Sequence, residues 1–159
     1  ALLRGADIAH TLKHAAQFGF ALETPSLDLA KLVGHSRSTA KRLSQGIDYL
    51  MKKNAVTVIR GHAKITAPFT LRVSSDDGEQ QYRADHIILA TGAHARDLAN
   101  IHVDGKLVWG AREAMTPTAL PERLLVIGAG AIGVEFASLY NDLGSHVTLV
   151  EAASKIVPV

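Results

Sequence analysis

An α/β fold is predicted, and three observations predict it. Helical periodicity runs through the first 53 residues, short β-branched segments with turn signals follow, and from Leu124 an apolar strand, a glycine turn, an amphipathic helix and another strand succeed one another. With 159 residues, 47% apolar and 20% charged, the length suits about one ordinary domain. A mean hydropathy of +0.12 fits a globular chain and excludes a disordered tail, a collagen-like chain or a charged coiled coil. No apolar stretch approaches the roughly 18 residues of a membrane span, and nothing at the start resembles a signal peptide, so no membrane insertion is expected. The chain has no cysteine, which rules out disulfides, cysteine zinc sites and thiol nucleophiles within it. Seventeen basic against fifteen acidic side chains leave a net charge of only +2, too little to argue for nucleic acid.

Leu3, Ile8, Leu12 and Ala15 recur at helical spacing and predict a helix from Leu2 to Phe18, stopped by Gly19. A second helix is predicted over Leu27–Lys53, with Asp28 near its start and Leu29, Leu32, Val33, Leu43, Ile47 and Leu50 on one face. Gly34 and Gly46 weaken it, and the polar, basic stretch Ser36–Ser44 should face water. Val56–Arg60, Ala63–Ala67 and Thr70–Val73, divided by Gly61 and Pro68, predict a small antiparallel ribbon. Asp76, Asp77 and Gly78 mark a hairpin turn. The nearly all-apolar run His86–Thr91, closing on Gly92, predicts a strand buried on both faces. Between Gly92 and Glu122 the chain is irregular, broken by Asp104, Gly105, Pro117 and Pro121, and a domain boundary is expected there. The chain opens at Ala1 rather than a methionine and stops shortly after a strand, so it is expected to be a piece of a longer protein.

Most of the chemistry lies in Gly128, Ala129, Gly130, Ala131, Ile132 and Gly133, a G-x-G-x-x-G run. Alone the pattern is weak, but here it follows the apolar strand Leu124–Ile127 and opens a helix with Ile132, Phe136, Leu139, Tyr140 and Leu143 on one face. Gly144 ends that helix and His146–Val150 supplies the next strand, completing a β-α-β unit of the Rossmann type. Each glycine has its own reason: Gly128 for a tight turn, Gly130 to leave room for a pyrophosphate, Gly133 for close packing of helix on strand. Free backbone amides and the helix dipole then attract the anion. Glu151, 23 positions after Gly128, ends the second strand, where a carboxylate can accept hydrogen bonds from the adenosine ribose. It selects NAD, because a 2′-phosphate would meet like charge and no arginine follows in the remaining residues.

The segment Leu124–Pro158, LLVIGAGAIGVEFASLYNDLGSHVTLVEAASKIVP, closely resembles the NAD-binding part of the dihydrolipoamide dehydrogenases, members of the flavoprotein pyridine nucleotide-disulfide oxidoreductase family. ADHIILATGA at Ala84–Ala93 resembles the family's second FAD motif, Gly61, His62 and Ala63 the ribbon segment that meets the FAD adenine, and ALLRGAD at Ala1–Asp7 the helix after the redox cysteine pair. The resemblance covers essentially the whole chain. It implies part of a FAD-binding Rossmann-like domain with a small antiparallel ribbon over 1–98, then the first β-α-β unit of an inserted NAD-binding Rossmann domain over 99–159. FAD contacts are implied at His62, Ala63, Ala90, Thr91, Gly92 and Ala93, and near Glu135. NAD contacts are expected at Gly128, Ala129, Gly130, Ala131, Ile132, Gly133, Val134 and Glu151. The implied whole enzyme is a homodimer that oxidises the dihydrolipoamide on the lipoyl domain of a 2-oxoacid dehydrogenase complex through a disulfide and FAD, passing hydride to NAD. It would be cytoplasmic, or in the mitochondrial matrix of a eukaryote. The redox cysteines, the first FAD glycine motif and the His and Glu pair are absent from this chain, so no catalytic residue is assigned and the piece alone should be inactive.

Other features receive plainer readings. His10 and His14 share a helix face, but no third ligand is evident and they are taken as ordinary surface histidines, with no metal site. Lys31, Arg37, Lys41, Arg42, Lys52, Lys53, Arg60 and Lys64 oppose one acid, Asp48; with only Tyr49 to stack on bases, a solvated face is preferred over a nucleic-acid site. Trp109 is expected to pack near the domain junction. Readings that share the architecture are glutathione or mercuric reductases and a soluble transhydrogenase, with Glu151 arguing against those that use NADP. A non-catalytic nucleotide-binding module is the other class, distinguished by whether the parent chain carries the cysteine pair.

Overall fold

The apolar spacing of the opening residues produces helix α1 (Leu2–Lys13), which stops short of the predicted Phe18 because the chain tightens into a 3-10 turn over Ala15–Phe18. Gly19 then closes the turn in the left-handed region at φ 84°. In this computed structural model the described residues are 1–23, 26–95 and 98–157. Helix α2 (Leu29–Lys53) begins two residues later than predicted, at a cap that Asp28 makes: its Oδ1 accepts the Lys31 N–H at 2.9 Å. Gly34 and Gly46 do not interrupt it. The stretch Ser36–Ser44 is largely solvent-exposed as expected, except that Ser36 itself is buried.

The contacts divide the chain into two units, Ala1–Leu43 with Asp97–Val159, and Ser44–Arg96, the first division falling inside α2. In the first unit, Gly5 of α1 lies against the Leu32 side chain of α2, a Cβ there falling 2.3 Å from Leu32 Cδ1. After the short helix α3 (Ala111–Ala114), strands β4 (Arg123–Ile127) and β5 (His146–Val150) are parallel, Arg123 opposite His146 and Ile127 opposite Val150, and are joined by helix α4 (Ala131–Leu143). Ala6, Leu139 and Tyr140 form the buried cluster, with Leu2, Trp109, Phe136 and Val147 packed against it. Trp109 thus packs as expected, its ring 6.3 Å from that of Tyr140. The Tyr140 hydroxyl donates to the Ala114 carbonyl at 2.9 Å, and burial pushes its pKa up to about 12. At the C-terminal ends of α1 and α4, His10 Nδ1 meets Asp142 Oδ1 at 3.1 Å and Lys13 Nζ donates to the Asp142 carbonyl at 2.6 Å.

The second unit holds the ribbon, β1 (His62–Ala67), β2 (Thr70–Ser75) and β3 (Gly78–Arg83), paired antiparallel in chain order. The Asp76–Asp77 hairpin turn is where it was predicted, with Ser75 opposite Gly78 and Gly78 at φ 112°. Two predicted strands do not form. Val56–Arg60 lies outside the sheet, and Val56, Val58 and Ile59 are exposed. The run His86–Thr91 has no strand partner among the described residues and is not buried: Ile88 is 89% and Leu89 71% exposed. A strand is stabilised by its ladder and by cover on its faces, and neither is supplied here.

Candidate functional site

The unit from β4 to β5 converges on the glycine turn. The parallel ladder runs on past Ile127, since the Gly128 N–H donates to the Val150 carbonyl at 2.9 Å. Gly128 has φ 100°, a conformation that favours glycine. At Gly133 a Cβ would lie 1.9 Å from the Gly128 carbonyl oxygen and 3.6 Å from Val126 Cγ1, so α4 can sit this close to β4 only without a side chain. Around Gly130 the opposite holds: nothing lies within 4 Å of where a Cβ would be. That open space, beside a helix N-terminus with no side-chain cap, leaves the first backbone amides of α4 available to an anion. Gly128 thus takes a left-handed turn, Gly133 allows the close helix–strand approach, and Gly130 borders open space.

Ala131, Ile132 and Glu135 are exposed on the opening turns of α4, with Gly133 and Val134 partly buried between them. Glu135 follows the first turn rather than sitting within it. Glu151 is partly buried at the end of β5, where its Oε2 accepts the Ala129 N–H at 2.6 Å and its Oε1 the Ala153 N–H at 2.8 Å. These two bonds, Ala153 first and Ala129 second, hold its carboxyl below the ordinary glutamate range, so it is an anion at neutral pH. Ala129, the residue between the first two glycines, is 0% exposed, and its carbonyl accepts the Val157 N–H at 2.7 Å. The tie from Val157 had no sequence signal, because it depends on how Ala152–Val157 folds back on the turn.

Of the residues expected to meet FAD, His62, Ala63 and Ala90–Ala93 lie in the second unit, whereas Glu135 lies in the first. His62 and Ala63 open β1, pairing with Ser74 and Val73, and are exposed. Gly61 before them makes a close approach, a Cβ there falling 2.6 Å from the Ser74 carbonyl oxygen. Ala90, Thr91, Gly92 and Ala93 are exposed and outside any strand, with Gly92 at φ 77°. No hydrogen bond joins these two sets among the described residues. His10 and His14 stack with ring centroids 4.3 Å apart, and no group of three or more metal-ligating side chains is found among the described residues. No helix among them is long and apolar enough to cross a membrane.

Known proteins similar to this chain match it over nearly its whole length. A dihydrolipoyl dehydrogenase of Zymomonas mobilis is 44% identical over 158 residues, covering 99% of this chain and 34% of its own length. A leghemoglobin reductase of Glycine max is 37% identical, with 99% of this chain and 31% of that protein covered. Among solved structures, LpdA of Mycobacterium tuberculosis superposes with a TM-score of 0.89 at 25% identity, over 99% of this chain and 35% of that one. The flavoprotein disulfide reductase RclA of Escherichia coli gives 0.73 at 27% identity, over 94% and 33%. The chain thus spans about a third of the length of the relatives it matches. The family model for pyridine nucleotide-disulphide oxidoreductases matches residues 2–159, and the chain belongs to that family.

Proposed function

We propose that this chain is the stretch of a dihydrolipoyl dehydrogenase that carries part of the FAD-binding domain, over 1–98, and the start of the NAD-binding domain, over 99–159. This division follows the nucleotide each motif serves rather than the packing units, which part at 43/44 and 96/97. The observation that carries the reading is the strand, glycine turn, helix and strand closing on an anionic Glu151, in a chain 44% identical over nearly all its length to a dihydrolipoyl dehydrogenase. In this reading Gly128–Val134 hold the pyrophosphate of NAD, and Glu151 accepts the adenosine ribose hydroxyls and repels a 2′-phosphate. His62, Ala63 and Ala90–Ala93 hold FAD by backbone approach, and Glu135 stands toward the flavin. FAD, when bound, supplies the two-electron relay between a thiol pair elsewhere in the protein and the nicotinamide. The complete protein is a homodimer acting on lipoyl domains of a 2-oxoacid dehydrogenase complex, in the cytoplasm or the mitochondrial matrix.

The test is to purify the complete protein and measure flavin content and the oxidation of dihydrolipoamide with NAD. The expected result is stoichiometric FAD and turnover with NAD. A flavin-loaded protein that reduces glutathione disulfide or mercuric ion, and leaves dihydrolipoamide untouched, contradicts the reading.

A further inference from the structure

Glycine turns are conformationally permissive, so the arrangement of the amides after Gly128 has to be imposed by neighbours. Here the imposition is visible. Both oxygens of Glu151 are taken by backbone, Oε2 by the Ala129 N–H at 2.6 Å and Oε1 by the Ala153 N–H at 2.8 Å. The other side of Ala129 is held as well, by the Val157 N–H on its carbonyl at 2.7 Å, and the residue is fully buried. No side chain caps the helix that follows. We propose that Glu151 is a positioning residue for the glycine turn: by accepting the Ala129 N–H it fixes the Gly128–Ala129 peptide, and so the arrangement in which the α4 amides are presented to a pyrophosphate. This deepens the proposed function and rests on its assignment of the turn as the NAD site. The two roles of Glu151 are compatible, because a carboxylate offers about four lone-pair directions and the backbone uses two, leaving others for ribose hydroxyls.

The roles differ in sign when the ribose is taken away. If Glu151 reads only the ribose, removing its negative charge beside an anion site leaves the affinity for inorganic pyrophosphate unchanged or raises it. If Glu151 holds the turn, the same removal lowers that affinity. The experiment uses the complete flavin-loaded protein as wild type, Glu151→Gln and Glu151→Ala. Backbone amide exchange is followed over Gly128–Ala131, with the β4–β5 ladder as internal control, and inorganic pyrophosphate binding is measured by calorimetry. In Glu151→Ala the Ala129 amide should exchange about ten- to a hundredfold faster, as expected for loss of a hydrogen bond to a charged acceptor, with the ladder unchanged and pyrophosphate binding weakened. Glu151→Gln keeps the shape and one acceptor oxygen, should fall between, and serves if the alanine variant does not fold. Unchanged Ala129 exchange in the folded variants, or tighter pyrophosphate binding without Glu151, overturns the proposal. Exchange is read with no nucleotide present. A protein that binds neither pyrophosphate nor NAD, but whose Ala129 still loosens without Glu151, therefore sinks the NAD assignment and leaves the positioning role standing.

Discussion

Gly133 is the residue at which the helix–strand contact is least forgiving. Its would-be Cβ meets backbone, the Gly128 carbonyl oxygen at 1.9 Å, which no rotamer change relieves. Gly133→Ala should therefore push α4 off β4, at a cost of about 1–3 kcal/mol for forced overpacking, and weaken NAD binding in the complete protein while flavin content stays full. Thermal melting with an NAD titration checks this; an unchanged NAD affinity would contradict the close-packing role. Glu151 makes a prediction in pH. Its folded pKa is lowered by the Ala153 and Ala129 amides, so its contribution is fully present above the ordinary glutamate range and is lost as pH falls through the lowered folded value. Asp104, whose Oδ1 accepts the Lys106, Leu107 and Val108 amides, is lowered too, chiefly by Val108, and adds acid sensitivity of the same sign. The stability gap between wild type and Glu151→Gln should be constant at neutral pH and close on acidification. Denaturation midpoints across that range measure it, and a gap that widens toward acid would contradict the assignment.

Elements whose signals are local were legible in the sequence, and those that need a distant partner were not. The turn–helix–strand order from Gly128 to Val150 follows from residues adjacent in the chain, and so do the Asp28 cap and the Asp76–Asp77 hairpin. Val56–Arg60 and His86–Thr91 carry the right β-branched and apolar composition, but a strand exists only where a second edge bonds to it. Likewise the spacing from which a ribose contact of Glu151 is expected could not reveal that its carboxylate holds Ala129. Tyr140 tests the packing of α4 as an element. Its hydroxyl donates to the Ala114 carbonyl from within the buried cluster, so Tyr140→Phe should lower stability by about 1 kcal/mol with the ring contacts preserved. A urea midpoint identical to wild type would show that the bond contributes nothing.

At the scale of the molecule, the chain leaves several large apolar side chains open to solvent. Ile88, Leu89 and Leu107 are 89%, 71% and 93% exposed, and one face of β4 shows Leu125 and Ile127 to solvent. Exposed apolar side chains of this kind bind apolar probes or one another. Expressed by itself, residues 1–159 should bind a hydrophobic dye or aggregate and show no dihydrolipoamide oxidation; a sharp cooperative melt of the isolated monomer would contradict this. In the complete protein, the proposed function has the Gly128–Gly133 turn and Glu151 together form an NAD site. The most direct test is the ratio of NAD to NADP catalytic efficiency in dihydrolipoamide oxidation, at full flavin content, for wild type, Glu151→Ala and Glu151→Arg. Wild type should favour NAD, the alanine variant should lose about ten- to a hundredfold in NAD efficiency, and the arginine variant should shift further toward NADP. A ratio that stays the same across all three proteins would contradict this.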